Sequence, residues 1–225
     1  MTEPSPVSTE APLESAAKAA ATAYQRAVVG VVAYSRIVAC TRYAKDADKA
    51  PLMASRVAIM RMSAAAVAGY GRVAEAAAAA GIDIDAEAQR FVGSLGDFDQ
   101  RLRPSDWSER LVKTYLTFGL LIDFCMALVD SLPEPLRGAL LDELADERLG
   151  SLASRELVPA IDGDAQLAAR LGLWGRRVAG EEIGTLQRML ALHPELASGT
   201  AGAELLYQVL SQGTMSRMRG LGLRG

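Results

Sequence analysis

The side chains able to do chemistry in this chain of 225 residues are few, and the most telling are charges set inside apolar runs. Arg36 lies in VVAYSRIVAC, where its helical neighbours are Val32, Ala39 and Cys40. Asp123 lies in LLIDFCM, with Gly119, Leu120, Met126 and Ala127 around it. A charge on such a face is costly unless it is paired. Arg36 therefore pairs with a carboxylate such as Asp123, or with Glu181 further along, as a structural contact. Two alternatives are that it lines a cavity and binds an anion, or that it carries its head to the surface on its long stem. Arg176 and Arg177, in LWGRRVAGEE, are the candidates for phosphate contact. Arg177 also stands four residues before Glu181, the spacing of a solvated pair on a helix face.

Familiar catalytic templates fail on these residues. The only histidine, His193, precedes Pro194 at a predicted helix end, where a histidine caps the last turn. A Ser-His-Asp arrangement has no strand-turn nucleophile to use, and no Gly-rich phosphate loop follows a strand. Cys40 and Cys125 each sit in an apolar run and read as buried free thiols, with no zinc or disulfide spacing. Met60, Met62, Met215 and Met218 read as gap-fillers in the core. Lys and Arg number 24 against 27 Asp and Glu, spread along the chain, which argues against a dedicated nucleic-acid binder.

These side chains must be positioned by helices. Half the residues are apolar but only 5% are aromatic, so the core is built from Ala, Leu, Val and Met. No sustained polar/apolar alternation signals a strand. Residues 1–12, acidic and rich in Pro and Ser, read as a disordered arm, and residues 13–218 as a single helical domain. The pattern predicts a helix from Leu13 to Ala44, a charged loop over Lys45 to Ala50, and a second helix from Pro51 to Ala80 ended by Gly81. Asp85 is expected to cap a short helix. Asp106, three residues before Glu109, opens a third long helix to Ser131. A fourth runs from Pro135 to Gly150, on to Leu157 after a kink near Gly150. A fifth spans Ala165 to Leu192 and a sixth Ala203 to Arg217; residues 219–225 are expected to fray as a flexible tail. The start lacks the basic residues and apolar stretch of a signal peptide, and the longest apolar runs fall short of the roughly 20 residues that span a bilayer. A soluble, cytoplasmic protein away from the membrane is expected.

Several segments carry a family likeness: Val32-Ala33-Tyr34, Arg61 to Ala65, Pro104-Ser105-Asp106-Trp107, Leu111 to Tyr115, Asp123-Phe124 and Leu173 to Arg177. Over residues 25 to 190 the chain resembles the bacterial ferritin-like proteins grouped as tRNA-hydroxylase-like. These are similar in turn to a non-haem di-iron enzyme that hydroxylates the isopentenyl side chain of a modified adenosine in tRNA. The resemblance implies an all-α fold: a ferritin-like antiparallel four-helix bundle with additional C-terminal helices. It also implies a di-iron ligand set: a glutamate on the first helix, Glu-x-x-His on the second, an acid on the third and an acidic-x-x-His pair on the fourth.

At the matching positions this sequence carries Arg36, then Ala66 and Gly69, then Phe118, then Asp146 and Leu149. A lone surviving carboxylate cannot hold two irons, and a guanidinium adds positive charge with no acceptor. The expectation is a bundle without metal or other cofactor and without catalytic residues, acting through structure, interaction or a small ligand near Arg36, Asp123 and Glu181. The alternative is an active di-iron hydroxylase of the tRNA-modifying type. Long Ala-rich helices leave apolar faces, so the expected partner is a second copy, or a related bundle protein such as an active paralogue. Binding to tRNA is implied by the resemblance alone.

Overall fold

The computed structural model describes residues 21–95, 102–199 and 201–224. The expected N-terminal arm and the stretch from Leu13 to Ala20 lie outside the described residues. Among those described, every regular element is helical.

The first helix, α1, spans Ala23–Lys49. Thr22 opens it: its hydroxyl accepts the Gln25 amide, and the Gln25 side chain accepts the Thr22 N–H in return, which satisfies two orphan donors of the first turn. The expected loop at Lys45 is instead the last turn of α1. Tertiary partners carry the helix on: Asp46 is buried, and its carboxylate accepts from Arg110 at 3.0 Å and from the Thr114 hydroxyl. Next, α2 spans Met53–Ala79 and ends where Gly81 takes a φ of 72°. Only glycine adopts that left-handed turn without strain. A short α3, Ile84–Gln89, is capped by Asp83 in place of the expected Asp85.

The third long helix, α4, spans Trp107–Val129, and Asp106 caps it by accepting the Glu109 amide at 2.8 Å. The Glu109 carboxylate reaches one residue further back than a capping box requires, to the Ser105 N–H and hydroxyl. The expected fourth helix is two helices. Leu136–Leu144 forms α5 and Arg148–Gly163 forms α6, with a break at Ala145 to Glu147 ahead of the anticipated kink at Gly150. At the break Asp146 accepts the Arg148 amide at 3.0 Å, a local bond that competes with helix continuation. Asp164 caps α7, Ala165–Leu192, which ends at His193 as expected. A 3-10 turn over Pro194–Ser198 leads to α8, Ala203–Gly220.

Helices α1 and α2 pack along one another, α4 lies against α1, and α5 with α6 fills the side between α2 and α4. Together these make a ferritin-like bundle whose fourth member is broken. On the far side of α4 lie α7 and α8. Two helices, α1 and α4, are long and apolar enough to cross a membrane, but 61% and 67% of their most apolar stretches are buried inside the chain. They are the central helices of the core. Tyr43 stacks on Phe118 with ring centroids 4.9 Å apart, and Leu116, Leu120, Phe124 and Leu128 are fully enclosed. Each such side chain contributes about 1.5–3 kcal/mol by leaving water. The expected fraying tail is packed down instead: Leu221 and Leu223 are buried, and the Arg224 carbonyl accepts from Arg176 at 2.8 Å.

Candidate functional site

Arg36 is buried on α1, 6% exposed, and its guanidinium lies 3.6 Å from Oε1 of Glu143 on α5. Its Nε donates to the Ser35 hydroxyl at 3.3 Å. Glu143 is equally enclosed and accepts from Arg72 on α2 at 2.6 and 2.9 Å. One carboxylate thus sits between two guanidinium groups. This satisfies the requirement that a buried charge be compensated. Gly69 makes room for it: a Cβ at that position would collide with the Glu143 carboxylate.

Around this cluster opens a cleft of about 580 Å³, with Tyr43, Ala66, Asp146, Arg148 and Leu149 in its walls. Asp146 accepts from Arg148 at 2.8 Å, and that bond holds its carboxyl below the usual carboxylate range. Burial pushes the Tyr43 phenol well up. Arg36, Ala66, Asp146 and Leu149 therefore meet in one cleft, and Gly69 faces its central carboxylate. Phe118 is the exception, since it lies behind Tyr43.

The pairing expected for Arg36 is different from the one found. Asp123 turns the other way, to Arg217 on α8, whose Nη2 donates to Oδ1 at 2.8 Å while Nη1 donates to Oδ2. Gly119 and Gly213 admit this pair, because a Cβ at either would strike the Arg217 or Asp123 side chain. Asp123 and Arg217 line a second, wider cleft of about 1300 Å³ between α4, α8 and the break between α5 and α6. Glu181 is half-buried on α7, away from Arg36, and its carbonyl accepts the Thr185 hydroxyl. Arg176 and Arg177 are exposed on the same helix. His193 closes α7 by donating its N–H to the Met189 carbonyl, and its ring lies 4.3 Å from that of Phe91.

The profile of the ferritin-like domain of actinomycetes matches residues 22–202. The chain belongs to this ferritin-like family. Among curated proteins, none matches it.

Bundles of this class can carry two metal ions between their helices on carboxylates and imidazoles. The residues of this ferritin-like chain do not fit such a centre. Among the described residues, no group of three His, Cys, Asp or Glu side chains gathers closely enough to hold a metal. Of the four acids that line the cleft, Glu143 is engaged by Arg36 and Arg72 and Asp146 by Arg148, while Glu75 and Asp142 are exposed and stand apart from any such group. Arg36 offers donors only.

One buried acid escaped the sequence reading. Glu182 on α7 is fully enclosed, and both its carboxyl oxygens lack a hydrogen-bond partner. Burial pushes its pKa up to about 8, with Arg42 on α1 pulling the other way. The hydroxyl of Thr117 on α4 is buried without a partner as well. Both residues line a void of about 10 Å³ beside Val38, Phe118 and Leu121, space on the scale of one water. The signal was present in the helical period: Leu171, Gly175, Val178, Glu182, Leu186 and Met189 form the buried stripe of α7, and Glu181 lies one position off it.

Proposed function

We propose that this ferritin-like domain works without catalysis, as a cytoplasmic interaction scaffold whose partner is another copy or a related bundle protein. The observation that carries the reading is the pairing of enclosed Arg36 with enclosed Glu143, closed on the solvent side by exposed Arg72, so that the most buried acid of the cleft is already held by two guanidinium groups. Charges compensated in this way hold a bundle in register without a metal.

A second reading is a small ligand carrying a carboxylate or phosphate in the same cleft. Arg36 favours it: it lines the cleft, and among the described residues its side chain meets the Ser35 hydroxyl at 3.3 Å and the Glu143 carboxylate at 3.6 Å. The di-iron tRNA-hydroxylase reading is weaker, because Ala66, Gly69, Phe118 and Leu149 supply no ligand and the net charge of −3 offers nothing to a polyanion.

Iron analysis separates the two metal-free readings from the di-iron one. Full-length protein, expressed with added iron and purified in air, is expected to carry no stoichiometric metal and to give no oxo-bridged absorption on addition of ferrous iron. Two irons per chain, lost when Glu143 and Asp146 are changed to Ala, would overturn the non-catalytic reading.

A further inference from the structure

The outer face of α2 carries a pattern that nothing among the described residues uses. Met53, Val57 and Met60 occupy its first half, Ala64 and Val67 its middle, and Gly71, Ala74 and Ala78 its second half. They follow one another at alternating steps of four and three residues. That is the spacing of a seam between two helices. The face lies away from the core, which α2 meets through Ile59, Met62, Ala66 and Val73. Met53, Met60 and Val67 are 69%, 56% and 58% exposed.

Gly71 is the second observation. It lies in the helix interior, where glycine weakens a helix relative to alanine. A Cβ there would meet nothing within 4 Å, so no contact among the described residues calls for glycine. Gly69, two residues earlier, is explained by Glu143; Gly71 leaves room on the outer face for a close approach.

We infer that two copies of this chain associate through this face, with their α2 helices antiparallel and the two-fold axis between Ala64 and Val67. In that register Met60 meets the partner's Gly71, Met53 the partner's Ala78, Val57 the partner's Ala74, and Ala64 the partner's Val67. Every larger side chain faces a smaller one. A parallel pairing would instead stack methionine on methionine and leave glycine opposite glycine. The charges agree. Arg61 and Glu75 are exposed, make no ion pair among the described residues, and each directly follows a seam residue on the same flank. Antiparallel pairing brings Arg61 to the partner's Glu75.

The seam is about 38 Å long and about 10 Å wide, close to 400 Å² a side, against about 800 Å² for a standard stable interface. On α1, which runs beside α2 with Cys40 against Ser63, the exposed Ile37 widens the strip. A dimer that assembles in the micromolar range follows, in place of an obligate one. This deepens the interaction reading above and rests on it for the choice of role.

The test is sedimentation of the full chain across micromolar concentrations. A species of twice 23.8 kDa should grow with concentration. Gly71→Glu and Met60→Glu should each raise the dissociation constant by about tenfold or more. Both side chains face solvent, so neither variant should lower the melting temperature of the dilute monomer, and Gly71→Glu should raise it slightly by removing a glycine from the helix interior. Arg61→Glu should weaken the dimer, and Arg61→Glu combined with Glu75→Arg should restore it. In a Cys40→Ala background, Met60→Cys with Gly71→Cys should give a disulfide-linked dimer on oxidation. Met53→Cys alone should not, because its two copies would lie about 38 Å apart. A monomer at every concentration, a dimer indifferent to both glutamate variants, or efficient cross-linking through Met53→Cys would each overturn the interface. Stoichiometric iron in an intact dimer would sink the non-catalytic reading and leave the interface standing; an iron-free monomer would do the reverse.

Discussion

Glu182 gives the sharpest test of how this core is built. Its carboxyl is fully enclosed, has no hydrogen-bond partner, and is pushed from 4.5 to about 8 by burial. The folded chain therefore keeps this proton to a higher pH than the unfolded chain does. Between those two values the native state binds more protons, so stability falls as pH rises, by up to about 1.4 kcal/mol per pH unit. The contribution is whole below the unfolded pKa and is lost as pH climbs through the folded one, a total of roughly 5 kcal/mol. Glu182→Gln keeps the shape and removes the titration. Urea unfolding of the two proteins should give similar stabilities at about pH 5 and a gap of several kcal/mol in favour of the variant at about pH 8.5. Comparison of the pair cancels every other titrating group. In the infrared, a protonated carboxyl stretch should be present in the folded wild-type chain at neutral pH and missing from the variant. Parallel stability curves across this range would show that the carboxyl is solvated, and the packing of α7 against α4 described above would be refuted.

Two further outcomes follow from the same coordinates. Arg36→Glu places a second carboxylate beside Glu143 with only Arg72 to compensate, and should cost about 3 kcal/mol or more; an unchanged melting temperature would deny the buried pair. The Cys125 thiol is enclosed and pushed up to about 12 by burial, whereas Cys40 is half-buried beside Ser63. A neutral-pH thiol reagent should therefore modify one cysteine in the folded chain and both in urea, with Cys40 identified by mass spectrometry; rapid labelling of Cys125 in the folded state would contradict its placement.

What could be read from the sequence was local. The cap at Asp106, the stop at Gly81 and the end at His193-Pro194 are each set by a side chain or backbone preference within a few residues, and each is found. Where the helices depart from expectation, a distant partner decides. Lys45 to Lys49 stays helical because Asp46 is held by Arg110 and Thr114 on α4. Leu221 and Leu223 are buried rather than frayed because they pack against the rest of the chain. The site follows the same rule. That Arg36 needs a carboxylate follows from its apolar neighbours, but the choice of Glu143 over Asp123 depends on the phase of α5 and α8 around α4, which no single helix encodes. Glu181 and the enclosed Glu182 differ by one residue, about 100° of helix rotation, enough to exchange a half-buried position for the core.

The central cluster is interdependent. Arg36 is tolerable in the core because Glu143 faces it. Glu143 can enter because Gly69 has no side chain, and Arg72 closes the far side of the carboxylate. A glutamate at position 36 would set two carboxylates together. A histidine at position 69 would occupy the space that Glu143 fills and expel it from Arg36. Either step toward a metal-binding set thus breaks a contact that another residue depends on, so positions 36 and 69 could change to ligands only together with Glu143. A site damaged at one position would behave differently, because one substitution could restore it. The coupling among Arg36, Gly69, Arg72 and Glu143 therefore marks this centre as a self-consistent arrangement of charges, and the search for what this domain does belongs with its clefts and its outer helix faces.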